Sequence, residues 1–201
     1  MRQFVIVGQT ASASPDFSLD DIPGSSGRLD VLLRCMRAAL LISHGVRRDT
    51  RAYLVCHGGG ARTVRIDGRA ASYVRPDERA MAGRIRAMLA TPAIGSGFDA
   101  HRQGMAVADG GLDAVLADLG PSTPYVLDEA GTDIRTVDVD LEHPVFFVGD
   151  HLGFDEPTLE RLRGMGAIPL GVGPVSLHAG DAIVLVQNEL DRRACLLPPT
   201  P

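Results

Sequence analysis

The chain has no lysine, no tryptophan, only three cysteines and few aromatic residues in its 201 positions. Each shortage removes a reading. Cys35, Cys56 and Cys195 form neither a CxxC pair nor a Cys/His cluster, which argues against structural zinc or a disulfide framework and for reduced thiols. No apolar run approaches the roughly 20 residues that a membrane helix needs, so no membrane partner is expected. Met1-Arg-Gln leads straight into Phe4-Val-Ile-Val7, too short an apolar stretch for a signal-peptide core, and the expected location is the cytoplasm. With lysine absent, all 20 basic residues are arginine, which suits forked contacts to phosphate but carries no mechanism by itself.

What is present is an ordinary folded composition, with 45% apolar and 22% charged residues. The length suits one domain spanning residues 1–201. The net charge of −5 is unevenly spread: residues 28–86 carry +8 and residues 87–201 carry −11. A basic face can therefore exist on an acidic protein.

Apolar runs at 4–7, 52–56, 105–108, 125–128, 145–148 and 167–170 read as strands. Helical spacing covers 28–43, 76–89, 112–119, 155–163 and 179–192. Asp67-Gly68 between 63–66 and 71–74 predicts a hairpin, and the acidic 128–142 segment a second one. Residues 9–27 read as a long ordered loop, a feature that is usually functional. The alternation implies an α/β fold with a mainly parallel sheet.

Two segments near the carboxyl end carry the sharpest signal: Val145-Phe-Phe-Val-Gly-Asp-His151, and Ile168-Pro-Leu-Gly-Val-Gly-Pro-Val-Ser-Leu-His178. Apolar strands ending in glycine loops let a ligand approach the backbone, at the strand ends where α/β sheets hold ligands. No GxGxxG fingerprint opens a βαβ unit, which disfavours an open Rossmann-type enzyme.

Together with Asp16-Phe-Ser-Leu-Asp-Asp-Ile-Pro-Gly-Ser-Ser-Gly-Arg-Leu-Asp30, these segments resemble the pseudouridine N1-methyltransferases of the SPOUT superfamily. The resemblance implies a C-terminal trefoil knot, a homodimer, S-adenosyl-L-methionine as cofactor and an RNA substrate, transfer RNA in the archaeal members. It assigns the cofactor to Leu127, Val148, Gly149, Leu170, Gly171, Val172, Gly173 and Leu177. It adds Ala182, which stands where archaeal members carry a cysteine; the local run here is His178-Ala-Gly-Asp-Ala182. Asn188 and Glu189 match an element expected at the dimer seam.

Methylation at N1 requires loss of a weakly acidic ring proton. Asp20, Asp21 and Asp30 are candidate acceptors, and Arg28 a candidate to steady charge on the neighbouring carbonyls. The same residues could instead cap turns and clamp the loop. His151 and His178 read as hydrogen-bonded anchors rather than bases. Arg34, Arg37, Arg47 and Arg48 form a candidate RNA-backbone face. Aromatics are too few for a stacking platform, Tyr53 and Tyr73 among them, which favours a single flipped nucleotide entering a pocket. Two alternatives stay open: a related methyltransferase with another RNA target, and a non-catalytic module binding nucleotide or RNA.

Overall fold

The computed structural model describes residues 1–196 except 73, 93, 94, 96 and 101. In chain order the elements are β1 (Arg2–Ser12), α1 (Ile22–Ser25), α2 (Leu29–Leu40), β2 (Leu41–Ile42), β3 (Gly45–Val46), β4 (Thr50–Gly58) and β5 (Arg62–Asp67). There follow α3 (Glu78–Leu89), β6 (Asp99–Ala100), β7 (Met105–Asp109), α4 (Leu112–Asp118), β8 (Thr123–Asp133), β9 (Pro144–Gly149), α5 (Glu156–Gly164), β10 (Ile168–Gly171) and α6 (Ala179–Leu196).

Eight strands form one sheet in the order β10-β8-β9-β1-β4-β5-β7-β6. The half from β10 to β4 is parallel; β5, β7 and β6 extend it antiparallel. The sheet is thus parallel where the glycine loops lie and mixed overall. β1 sits at its centre, and residues 2–8 are buried throughout, as expected of a strand covered on both faces. On one face α2, α3 and α6 bury Leu32, Met36, Ile85, Ile183 and Val186 against Phe4, Ile6 and Leu54. On the other, α4 and α5 bring Val115 and Leu162 to Val5, Val55 and Phe147. The rings of Phe4, Phe146 and Tyr125 stack across three adjacent strands at 5.3 Å.

Local chemistry sets the helix starts. The Asp77 carboxylate accepts from the Ala80 N–H at 2.7 Å, and that of Asp155 from Thr158 at 3.1 Å. α2 is amphipathic, burying Leu29, Leu32, Leu33 and Met36 while Arg34 and Arg37 face outward.

Several expectations need correction. The first strand runs on to Ser12, and the following loop contains a one-turn helix at Ile22–Ser25. The Asp67-Gly68 hairpin does not form: β5 pairs with β4 and β7, and the described residues of 71–74 are not strand. Tyr73 lies outside the described residues, as does the Pro198–Pro201 tail. The acidic segment is not a hairpin either. β8 pairs in parallel with β10 at Tyr125 and Val126, loops out over 127–131, and pairs again at Thr132 and Asp133. Among the described residues no helix is long and apolar enough to cross a membrane.

Candidate active site

The carboxyl ends of β8, β9 and β10 and the start of α6 enclose a cavity of about 360 Å³, within the roughly 300–1,000 Å³ range of small-molecule sites. The looped-out residues of β8 supply Leu127, Asp128 and Glu129. The end of β9 supplies Val148, Gly149 and Asp150; the end of β10 supplies Leu170, Val172 and Gly173. Leu177 and Ala182 close it from the α6 side. Leucine and valine walls offer faces for a flat purine. Around Gly173 there is open space, with no atom within 4 Å of where a β-carbon would stand. A small adenosyl compound fits this chemistry: apolar walls, exposed strand-end backbone and a glycine leaving room.

Every residue assigned to the cofactor lines this cavity except Gly171. That residue packs inward: a β-carbon there would lie 2.8 Å from the Gly131 carbonyl oxygen, and its own carbonyl accepts from the Ile134 N–H at 2.9 Å. Its glycine serves the close approach of β10 to the β8 detour. Asp150 is a wall residue that sequence reasoning did not single out, although the Gly-Asp at a strand end was visible. Its side chain is 1% exposed, and it accepts from the Gln9 N–H and the Leu152 N–H, both at 2.8 Å. It thereby ties the cavity to the second half of β1.

The N-terminal block folds as one piece. Gly27 is obligatory, since a β-carbon would overlap the Thr10 carbonyl at 1.8 Å and its φ is +62°. Asp20 is exposed and pairs with Arg79. Asp21 caps α1 through the Gly24 N–H at 3.0 Å. Arg28 adopts a left-handed backbone at φ 66° and forks onto Asp30. Asp30 also accepts from Arg34 at 2.8 Å. Burial pushes the Asp30 carboxyl up, but the Arg28 hydrogen bond and the charges of Arg28 and Arg34 outweigh it, holding the group below the usual range. α6 begins directly on this helix, with the Gly180 β-carbon position 3.5 Å from the Arg34 backbone. The candidate catalytic block and the cavity are thus neighbours.

The arginines divide. Arg37 is exposed and makes no ion pair among the described residues, and Arg34 reaches Glu78 at 3.6 Å beside it. Arg47 instead grips Asp191 on α6 through two bonds of 3.0 and 2.7 Å. Arg48 caps the carbonyls of Gly68 and Ala71, each at 2.8 Å. Arg47 is half-buried and, like Arg48, spent on the protein itself, so the basic face narrows to Arg37 and to Arg34, whose guanidinium is shared with Asp30 and Glu78. His151 lies 3.9 Å from the Asp150 carboxylate, and exposed His178 starts α6 by accepting the Asp181 and Ala182 N–H groups on its carbonyl. Asn188 is exposed, while Glu189 pairs with Arg193 at 2.8 Å.

Comparison with known proteins fits this geometry. A family model described as "Putative SAM-dependent RNA methyltransferase" matches residues 1–195. The chain belongs to this family. The tRNA (pseudouridine(54)-N(1))-methyltransferase of Halobacterium salinarum is 44% identical over 193 residues, covering 95% of this chain and 96% of its own. The enzyme of the same name from Methanosarcina acetivorans is 40% identical over 194 residues, covering 96% and 92%. Among solved structures, Archaeoglobus fulgidus Nep1 bound to S-adenosylhomocysteine matches with a TM-score of 0.60 at 16% identity, over 96% of this chain and 98% of that one. The expected α/β fold is therefore the one observed, and it is shared with that structure.

Proposed function

We propose that this protein transfers a methyl group from S-adenosyl-L-methionine to N1 of a pseudouridine in transfer RNA. The observation that carries the reading is the apolar cavity at the strand ends, in a chain matched nearly end to end by relatives with that name. The donor supplies an electrophilic methyl: the carbon–sulfur bond breaks, sulfur keeps the electron pair, and N1 gives up its proton as the new bond forms. In this reading the walls Leu127, Val148, Leu170, Val172 and Leu177 hold the donor, with Gly173 and Ala182 leaving it room, while Gly149 lines the site and lets the Gly153 backbone approach, a β-carbon there lying 2.8 Å from it. Gly171 shapes the loop from behind.

Asp30 is already paired with two arginines and its proton affinity is lowered, so it suits positioning Arg28 better than taking a proton. Arg28 is then the group that steadies charge on the base carbonyls. One of the solvent-facing acids takes the single N1 proton: Asp21, whose side chain accepts only the Gly24 N–H among the described residues, ahead of Asp20, which is paired with Arg79. Arg34 and Arg37 bind the RNA backbone.

The chain acts as a homodimer in the cytoplasm and carries the trefoil knot of its superfamily. Exposed Val184 and Leu185 on α6, with Leu152, Val175 and Leu177 beside the cavity, supply an apolar surface for the second copy. The test is nucleoside mass spectrometry of transfer RNA from a deletion strain. Loss of N1-methylpseudouridine supports the reading, and loss of a ribose-methylated nucleoside instead assigns another target. Absence of S-adenosylmethionine binding at millimolar concentration makes the protein a non-catalytic module.

A further inference from the structure

The cavity is electrostatically one-sided. Its ionisable wall residues are Asp128, Glu129 and Asp150, and no arginine or histidine lines it among the described residues. Asp150 is buried and takes two backbone amides, but the basic atom within ion-pair range of it is His151 Nδ1 at 3.9 Å, and no arginine reaches it among the described residues. Asp30, the other fully buried aspartate, is by contrast met by arginine, as are the half-buried Asp67, Asp118 and Asp191. Glu129 is exposed and makes no ion pair among the described residues. Buried negative charge without a counter-ion is costly, and the cost falls when a cation arrives.

We infer that Asp150, with Asp128 and Glu129, makes this cavity selective for the positively charged methyl donor over its neutral-sulfur product. This rests on the reading of the cavity as the donor site. The two ligands share their adenosine and amino-acid parts, so apolar walls and backbone contacts treat them alike. They differ by one unit of positive charge, lost when the sulfonium gives up its methyl and becomes a thioether. Coulomb attraction falls only as the reciprocal of distance, so an acidic wall senses that charge without touching the sulfur. The donor is held and the product released by the same wall, and charge rather than shape drives exchange after each turnover.

Calorimetric titration of the wild type and of Asp150→Asn tests this. The ligands are S-adenosylmethionine, S-adenosylhomocysteine and sinefungin, which places a charged amine near the sulfonium position. The expected result is that Asp150→Asn weakens both cationic ligands about tenfold or more, while homocysteine-product affinity changes by less than about twofold. Equal weakening of all three overturns the inference, since Asp150 then serves only the Gln9 and Leu152 amides. If that variant does not fold, Asp128→Asn/Glu129→Gln carries the same comparison. The wild type itself must bind sinefungin more tightly than the product, and the reverse order also overturns the inference. Binding of none of the three by the wild type defeats the donor-site reading itself, a result distinct from loss of selectivity.

Discussion

Arg28 forks onto the buried carboxylate of Asp30, Nε to Oδ1 at 2.9 Å and Nη2 to Oδ2 at 3.2 Å, from a left-handed backbone position at φ 66°. The fork fixes both partners before any substrate arrives. Because the Asp30 carboxyl lies below its ordinary range when folded, it contributes stability that is present above the unfolded value and lost as pH falls through the folded one. Thermal melts of the wild type from pH 7 to pH 3 should therefore show an acid limb that Asp30→Asn partly flattens. An unchanged acid limb in the variant would remove the fork from the stability account.

Asp191 joins two nearly buried guanidiniums, Arg2 at 2.6 Å and Arg47 at 2.7 Å. Asp191→Ala leaves both without that counter-charge, although Arg2 keeps Asp49 at 3.3 Å and Gln187 at 2.7 Å. The expected cost is about 2–3 kcal/mol in chemical denaturation, below the full value for an isolated buried pair because Asp191 is partly solvated. A change under about 0.5 kcal/mol would show the clamp to be ornamental.

The arginines can be separated by two readouts. Arg37→Ala should weaken transfer RNA binding and reduce the slope of log affinity against log salt by about one, with the melting temperature unchanged. Arg48→Ala should do the opposite, lowering the melting temperature because the Gly68 and Ala71 carbonyls lose their donor. Binding loss in Arg48→Ala without destabilisation would return that residue to the RNA face.

Two glycines of one loop should also part company. Gly171→Ala drives a methyl against the Gly131 carbonyl and must shift backbone, at a cost of about 1–3 kcal/mol. Gly173→Ala meets no atom within 4 Å, so it should fold as the wild type does while weakening S-adenosylmethionine, measured by titration. Full donor affinity in Gly173→Ala would place the ligand elsewhere along the cavity.

The central strands and the cavity were legible because their signals are local: unbroken apolar runs for strands buried on both faces, and glycines where those runs stop. Asp67-Gly68 misled for the opposite reason. A β-carbon at Gly68 would sit 2.0 Å from the Arg47 carbonyl oxygen, so this glycine answers a contact with a residue 21 positions earlier, invisible to any short window. The 127–131 detour has the same character, since its shape depends on where β10 docks. The partners of Arg47 and Arg48 were beyond reach too, because a charge count does not say whether a guanidinium meets solvent or Asp191. Asp150 was within reach, as an acid closing an apolar strand at the ligand end of a sheet.

Arg2 is bonded to Gln187 and Asp191, so the central strand of the sheet is clasped by a helix lying 185 residues further along the chain. Because Ala182 of that helix also lines the cavity, removing the helix would strip β1 of its clasp and the cavity of a wall in one stroke.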